Sequence, residues 1–149
     1  MRFQVNDGGR AAAGFRGQTG DCVCRAIAIA AELPYADVYA ALNEAALRER
    51  PRATGSGRAR KRSSARTGVQ IPTIRKYLAS IGWRWVPTMQ VGSGCKVHLR
   101  EDELPGGRLI VSVSRHLVAV IDGVVHDTHD PTRDGTRCVY GYYTREVAP

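Results

Sequence analysis

The chain reads as an α+β domain in which helices come first and antiparallel strands follow. Three observations carry that reading. Apolar residues recur at helical spacing through residues 21–48 and again through 71–81. From Trp83 onward the pattern changes to short alternating or β-branched runs. Between two of those runs stands Asp122-Gly123, the composition of a two-residue hairpin turn.

Taken in order, residues 6–20 carry Gly8, Gly9, Gly14, Gly17 and Gly20 and predict an irregular leader that Phe15 pins to the core. The first helix is expected from about Asp21 to Glu32, capped by the Asp21 carboxylate, with Val23, Ile27 and Ala30 on its buried face. Pro34, tolerated in a first turn, starts a second helix from about Tyr35 to Arg48, whose inner face is Tyr35, Val38, Leu42 and Ala46. Pro51 to Thr67 is rich in Gly, Ser and Arg, has no periodicity, and predicts a basic, flexible loop. Ile71-Pro72 opens a third helix through Ile74, Tyr77, Leu78 and Ile81, which Gly82 ends. Strand composition follows at Trp83–Pro87, Val97–Leu99, Arg108–Ser114, Leu117–Ile121, Val124–Asp127 and Cys138–Tyr143. Trp83, Trp85, Tyr140 and Tyr142 are expected in the core or on a cleft wall. The expected architecture is an antiparallel sheet packed against the first helix.

A length of 149 residues predicts one domain over 1–149 with a real hydrophobic core. No apolar run is long enough for a transmembrane helix, so no membrane partner is expected. Met1 to Asp7 lacks the apolar centre of a secretory signal. A cytoplasmic setting follows as the expectation, with Cys22, Cys24, Cys95 and Cys138 reduced. The net charge of +8 is concentrated: Arg48, Arg50, Arg52, Arg58, Arg60, Lys61, Arg62 and Arg66 share one segment with the single acid Glu49. A solvated loop explains such a run, and so does a contact with an acidic protein or nucleic-acid phosphates through Arg58, Arg60, Lys61 and Arg62. No aromatic residue is interleaved there, which argues against a base-stacking platform.

The chemistry concentrates in two patches. Gly20-Asp21-Cys22 places a cysteine at a helix N-terminus, where unpaired amides and the helix dipole favour thiolate over thiol. A cysteine on an Ala/Ile helix is also an ordinary small core residue, so this patch needs the second. With a two-residue turn at Asp122-Gly123, Ile121 faces Val124, Val118 lies opposite Asp127, and His116 lies opposite His129. His116 and Asp127 then share a face as diagonal neighbours. A carboxylate there would hold the imidazole by one nitrogen and leave the other for a thiol. Asp130 is the alternative orienter if a bulge shifts the register. His126 and His129 are expected outside the chemistry. A zinc site built from Cys95, His98 and Cys138, or from His126 and His129, lacks a paired ligand signature. No metal or cofactor is expected.

Cysteine at a helix start, histidine at a strand start and aspartate on the next strand resemble the papain-like cysteine peptidase superfamily. Gly20-Asp21-Cys22-Val23-Cys24-Arg25-Ala26 is similar to the nucleophile motif of OTU-type deubiquitinating peptidases. His116-Leu117-Val118-Ala119-Val120 with Asp127-Thr128 resembles the His and Asp strands of the transglutaminase-like and C39-like branches. The chain also resembles small papain-fold proteins of phage and bacterial genomes. The resemblance covers about thirty residues in two patches. It implies a papain-like fold, a Cys22–His116–Asp127 triad and hydrolysis of an amide, isopeptide or thioester bond in a protein or peptide substrate. Gln18 is similar in placement to the glutamine that completes a papain-like oxyanion hole, though it stands closer to the cysteine, and the OTU-type Asp-Gly-Asn is incomplete. The alternative expectation is a non-catalytic papain-fold module, of a virion or binding nucleic acid through the basic loop.

Overall fold

A computed structural model describes residues 1–17, 20–49 and 63–145. In chain order, β1 (Arg2–Val5) precedes the helices α1 (Cys22–Ala31), α2 (Tyr35–Ala46) and α3 (Ile71–Ser80). They are followed by β2 (Trp83–Pro87), β3 (Arg108–Val113), β4 (His116–Ile121), β5 (Val124–Asp127) and β6 (Gly141–Arg145). The six strands form one mixed sheet in the order β1-β5-β4-β3-β6-β2. The predicted basic loop falls largely outside the described residues, and Arg58, Arg60, Lys61 and Arg62 all lie there.

The helices stand within a few residues of their predicted limits. Pro72 occupies the first turn of α3, and Gly82 follows its end at φ 89°, a left-handed conformation. At the central hairpin, Asp122 (φ 46°) and Gly123 (φ 79°) both take the positive φ of a type I′ turn. The register is therefore the expected one, with Ile121 opposite Val124 and Ala119 opposite His126.

Five expectations are corrected. The sheet is not wholly antiparallel, because β1 pairs in parallel with β5 from Arg2–Val124 to Val5–Asp127. Four residues with one half-buried aromatic, Phe3, carry too little alternation to be read as a strand. Val97–Leu99 contributes only a single bridge, His98 to Cys138, and the last strand starts at Gly141 rather than Cys138. Asp21 makes no side-chain cap to α1; its carboxylate is spent on other partners, described below. Finally, Cys95 and Cys138 are joined by a disulfide, while Cys22 and Cys24 are free. Segments 97–99 and 137–139 run side by side, Leu99 N–H donating to Arg137 O at 2.9 Å and Val139 N–H to Val97 O at 2.8 Å. That pairing brings the two cysteines to a Cα separation of 5.8 Å.

Alternation along the strands divides the core in two. Leu117 and Ala119 of β4, with Ile110 and Tyr143, face the helices and pack with Ile27, Ala30, Leu42 and Leu78. Val118 and Val120 face the other way, with Val111, Val125, Leu99 and Val139. Small residues on α1, Ala26 and Ala30, bring that helix close to the middle of the sheet. Gly141 fills a tight place opposite Pro87: a Cβ there would lie 2.4 Å from the Trp85 ring and 2.8 Å from Val86 O. We expect Gly141→Ala to destabilise the fold by about 1–3 kcal/mol through overpacking, read as a lower denaturant midpoint at unchanged slope.

Candidate active site

Three elements converge where α1 begins. The helix places Cys22 at its first residue, β4 starts at His116, and β5 ends at Asp127. α1 lies against β4 and β5, so its N-terminus abuts that end of the sheet. Asn6, the residue after β1, also contributes: its N–H donates to the backbone carbonyl of Asp127 at 2.8 Å and fixes the strand end that carries the carboxylate.

The histidine and aspartate are directly bonded, His116 Nε2 to Asp127 Oδ2 at 2.6 Å. This leaves Nδ1 free of the carboxylate, and the hydrogen-bonding and charge influence of His116 acts on the Cys22 thiol. The Leu117 backbone N–H also pulls the Cys22 thiol down. Asp127 is buried, and its other oxygen, Oδ1, accepts the Thr128 N–H at 2.7 Å and Arg25 Nη2 at 3.3 Å. Arg25 stands one turn along α1 from Cys22. Its Nη1 pairs with Asp21 Oδ1. Asp21 is fully buried, accepts the Tyr35 hydroxyl at 2.5 Å and lies 3.5 Å from Arg10 Nε.

Burial and partners oppose each other at every group, and partners win. Burial raises the Cys22 thiol, but the hydrogen bond and charge of His116, with the Leu117 amide and Arg25, bring it below the ordinary thiol range. Burial lowers His116, yet Asp127 and Cys22 together raise it to about 9. Burial raises Asp127; His116, the Thr128 amide and Arg25 hold it below the usual carboxylate range. The three shifts all favour the charged forms, a thiolate, an imidazolium and a carboxylate in a row. Cys24, two residues along the helix, is raised to about 12 by burial and by Asp21.

Comparisons with family models, with curated proteins and with solved structures return no match.

Asp130 is exposed and accepts the Thr132 N–H at 2.9 Å, a loop contact. His126 is bonded to Asn6 Nδ2 at 3.3 Å. The His129 ring lies 5.4 Å from the His116 ring and is exposed. Gln18 lies outside the described residues. Among the described residues, His116, Asp127 and His129 are the group that could bring metal-ligating atoms within 4.8 Å of one another, but His116 and Asp127 direct theirs at each other. The alternative zinc set is not available as thiolates, because Cys95 and Cys138 are bonded together and His98 pairs with Glu103 at 3.2 Å. Two surface hollows, of about 670 Å³ beside Met1 and Arg100 and about 520 Å³ between α2 and α3, are lined by none of Cys22, His116 and Asp127.

Arg25 is the residue that sequence reasoning left without a role at the site. The signal was its spacing, since Asp21 and Arg25 at i and i+4 bracket Cys22 on one helix. We expect Asp21→Ala to cost about 3–5 kcal/mol, because it leaves Arg25 and Tyr35 facing an apolar side chain in a buried place. A thermal melt alongside Tyr35→Phe, which removes one hydrogen bond to that carboxylate and should cost about 1.5–3 kcal/mol, checks the ranking.

Proposed function

We propose that this protein is a cysteine hydrolase of papain-like type that cleaves an amide, isopeptide or thioester bond in a protein or peptide. The observation that carries the reading is the His116 Nε2 bond to Asp127, which leaves Nδ1 unclaimed on a ring whose influence lowers the Cys22 thiol. An imidazole held in that way can take a proton from a thiol and return it to a leaving group. In the proposed sequence, the Cys22 thiolate adds to the substrate carbonyl. Amide donors at the start of α1 face the oxyanion that forms. The tetrahedral intermediate collapses as His116 gives its Nδ1 proton to the leaving amine or thiolate, which departs and leaves an acyl-thioester on Cys22. Water then gives a proton to Nδ1 while its oxygen attacks the thioester. Collapse releases the acid and regenerates the thiolate–imidazolium pair.

The test is alkylation with a limiting dose of iodoacetamide, followed by peptide mass spectrometry. At pH 6 Cys22 should react well ahead of Cys24, because only the Cys22 thiol titrates below the ordinary range. His116→Ala should remove that lead. In its pH profile Cys22 should move up, to or past the ordinary value of about 8.5, since burial persists when the cation is gone. Asp127→Asn should give an intermediate profile, because His116 loses the anion that helps raise it to about 9. Equal labelling of Cys22 and Cys24 at pH 6, or a lead that survives His116→Ala, would mean that the domain is a non-catalytic module.

A further inference from the structure

We propose that Arg25 is a positioning residue for this site, holding the Asp127 carboxylate, and through it His116, against the helix that carries Cys22. The inference rests on the proposed function for its consequence, but its geometry stands apart from it. Cys22 and Arg25 belong to α1, and His116 and Asp127 belong to neighbouring strands. The contacts run from His116 Nε2 to Asp127 Oδ2 at 2.6 Å and from Asp127 Oδ1 to Arg25 Nη2 at 3.3 Å, and the influence of His116 on Cys22, at the head of the same helix, closes the ring. Two of those links join the helix to the strands, and they differ in permanence. The Cys22–His116 link depends on the charge of the sulfur, which disappears once the thiol is acylated. The Arg25–Asp127 link does not, because a guanidinium keeps its charge throughout.

Arg25 is suited to the task in three ways. Its planar fork serves two buried carboxylates at once, Asp21 through Nη1 and Asp127 through Nη2. Its other anchor is itself fixed, since Asp21 is fully buried and receives the Tyr35 hydroxyl. Its contact on Oδ1 reserves Oδ2 for His116. The terminal torsion of an aspartate is broad, and each further contact on its oxygens narrows it. Thr128 N–H also occupies Oδ1, but it belongs to the adjoining residue and does not tie the strand to the helix. Arg25 therefore maintains the imidazole's aim in the acyl-enzyme, when the thiolate no longer helps, and the step most dependent on it is deacylation.

The experiment caps Cys22 with iodoacetamide to mimic the uncharged, acylated sulfur. It then follows the His116 Nε2–H proton by NMR in full-length protein labelled with nitrogen-15 on histidine. In capped wild type the proton should be hydrogen-bonded, shifted downfield and slow to exchange. In capped Arg25→Gln it should exchange at least about tenfold faster, the size of effect that loss of an outer-shell hydrogen bond has on a fixed ligand. Arg25→Lys should restore part of the protection. If Arg25→Gln does not fold with two carboxylates left unneutralised, the pair Asp21→Asn/Arg25→Gln removes one of them and is read in the same way. Full protection in a folded variant without Arg25, or none in capped wild type, overturns the proposal. Hydrolysis of an activated ester supplies the second readout: Arg25→Gln should lower the steady-state rate more than the acylation burst. Protection that depends on Arg25 in a protein whose Cys22 shows no His116-dependent alkylation would sustain the positioning role and reject the hydrolase reading.

Discussion

The packing of α1 on the helix-facing side of β4 is the constraint from which the rest of the site follows. Ile27 and Ala30, with Leu117 and Ala119, are nearly or wholly closed to solvent, and that apolar contact sets the height of the helix on the sheet. Height decides chemistry here. The sulfur is at the first residue of the helix and the imidazole at the first residue of the strand. A slip of one residue along α1 would move Cys22 by about 1.5 Å and around the helix by roughly 100°. The same packing places Arg25 one turn further in, level with Asp127. Hydrophobic burial thus supplies the register, and the polar contacts are made within it.

Those polar contacts include two carboxylates that the fold takes out of water, Asp21 and Asp127, with Arg25 between them. A buried ion pair seldom adds net stability, and well-packed apolar groups of similar volume commonly do as well. The arrangement is therefore better understood through what it specifies than through what it contributes to folding. With Arg25 and Thr128 on one oxygen, Asp127 stays ionised despite burial and offers the other to His116. Removing either partner would leave a charge that the site cannot hydrate. The cost of the cluster and its directional value have the same origin, which is the absence of water.

Much of this could be read from residues alone. The hairpin was legible because Asp122-Gly123 fixes turn length, turn length fixes register, and register puts His116 and Asp127 on one face. The helices were legible from their period. What escaped is what period and local chemistry do not encode. β1 is four residues long and has one partly buried aromatic, so its parallel pairing to β5 is a tertiary fact. The Cys95–Cys138 bond depends on the pairing of two irregular segments 43 residues apart in sequence. The Asp21 side chain was read as a helix cap because of its position. It turned inward because Tyr35 and Arg25, on two helices, offer stronger donors than an amide of its own first turn.

Cys24 shows why the position of Cys22 matters more than its residue type. The two cysteines sit on the same helix, two residues apart, with the same thiol chemistry and with burial opposing ionisation in both. One is driven up to about 12 and the other is held below its ordinary value. The helix dipole does not separate them, since both lie in the first turn where its field is felt. Partners separate them. Cys24 has the Asp21 carboxylate beside it, an anion that raises it more than the Tyr35 side chain lowers it, whereas Cys22 has the His116 ring and the Leu117 amide, which both lower it. At a buried thiol the sign of the neighbouring charge decides between an inert core residue and a nucleophile. On this chain that sign changes within two residues, because 200° of helical rotation turns one sulfur toward the end of the sheet and the other toward α2.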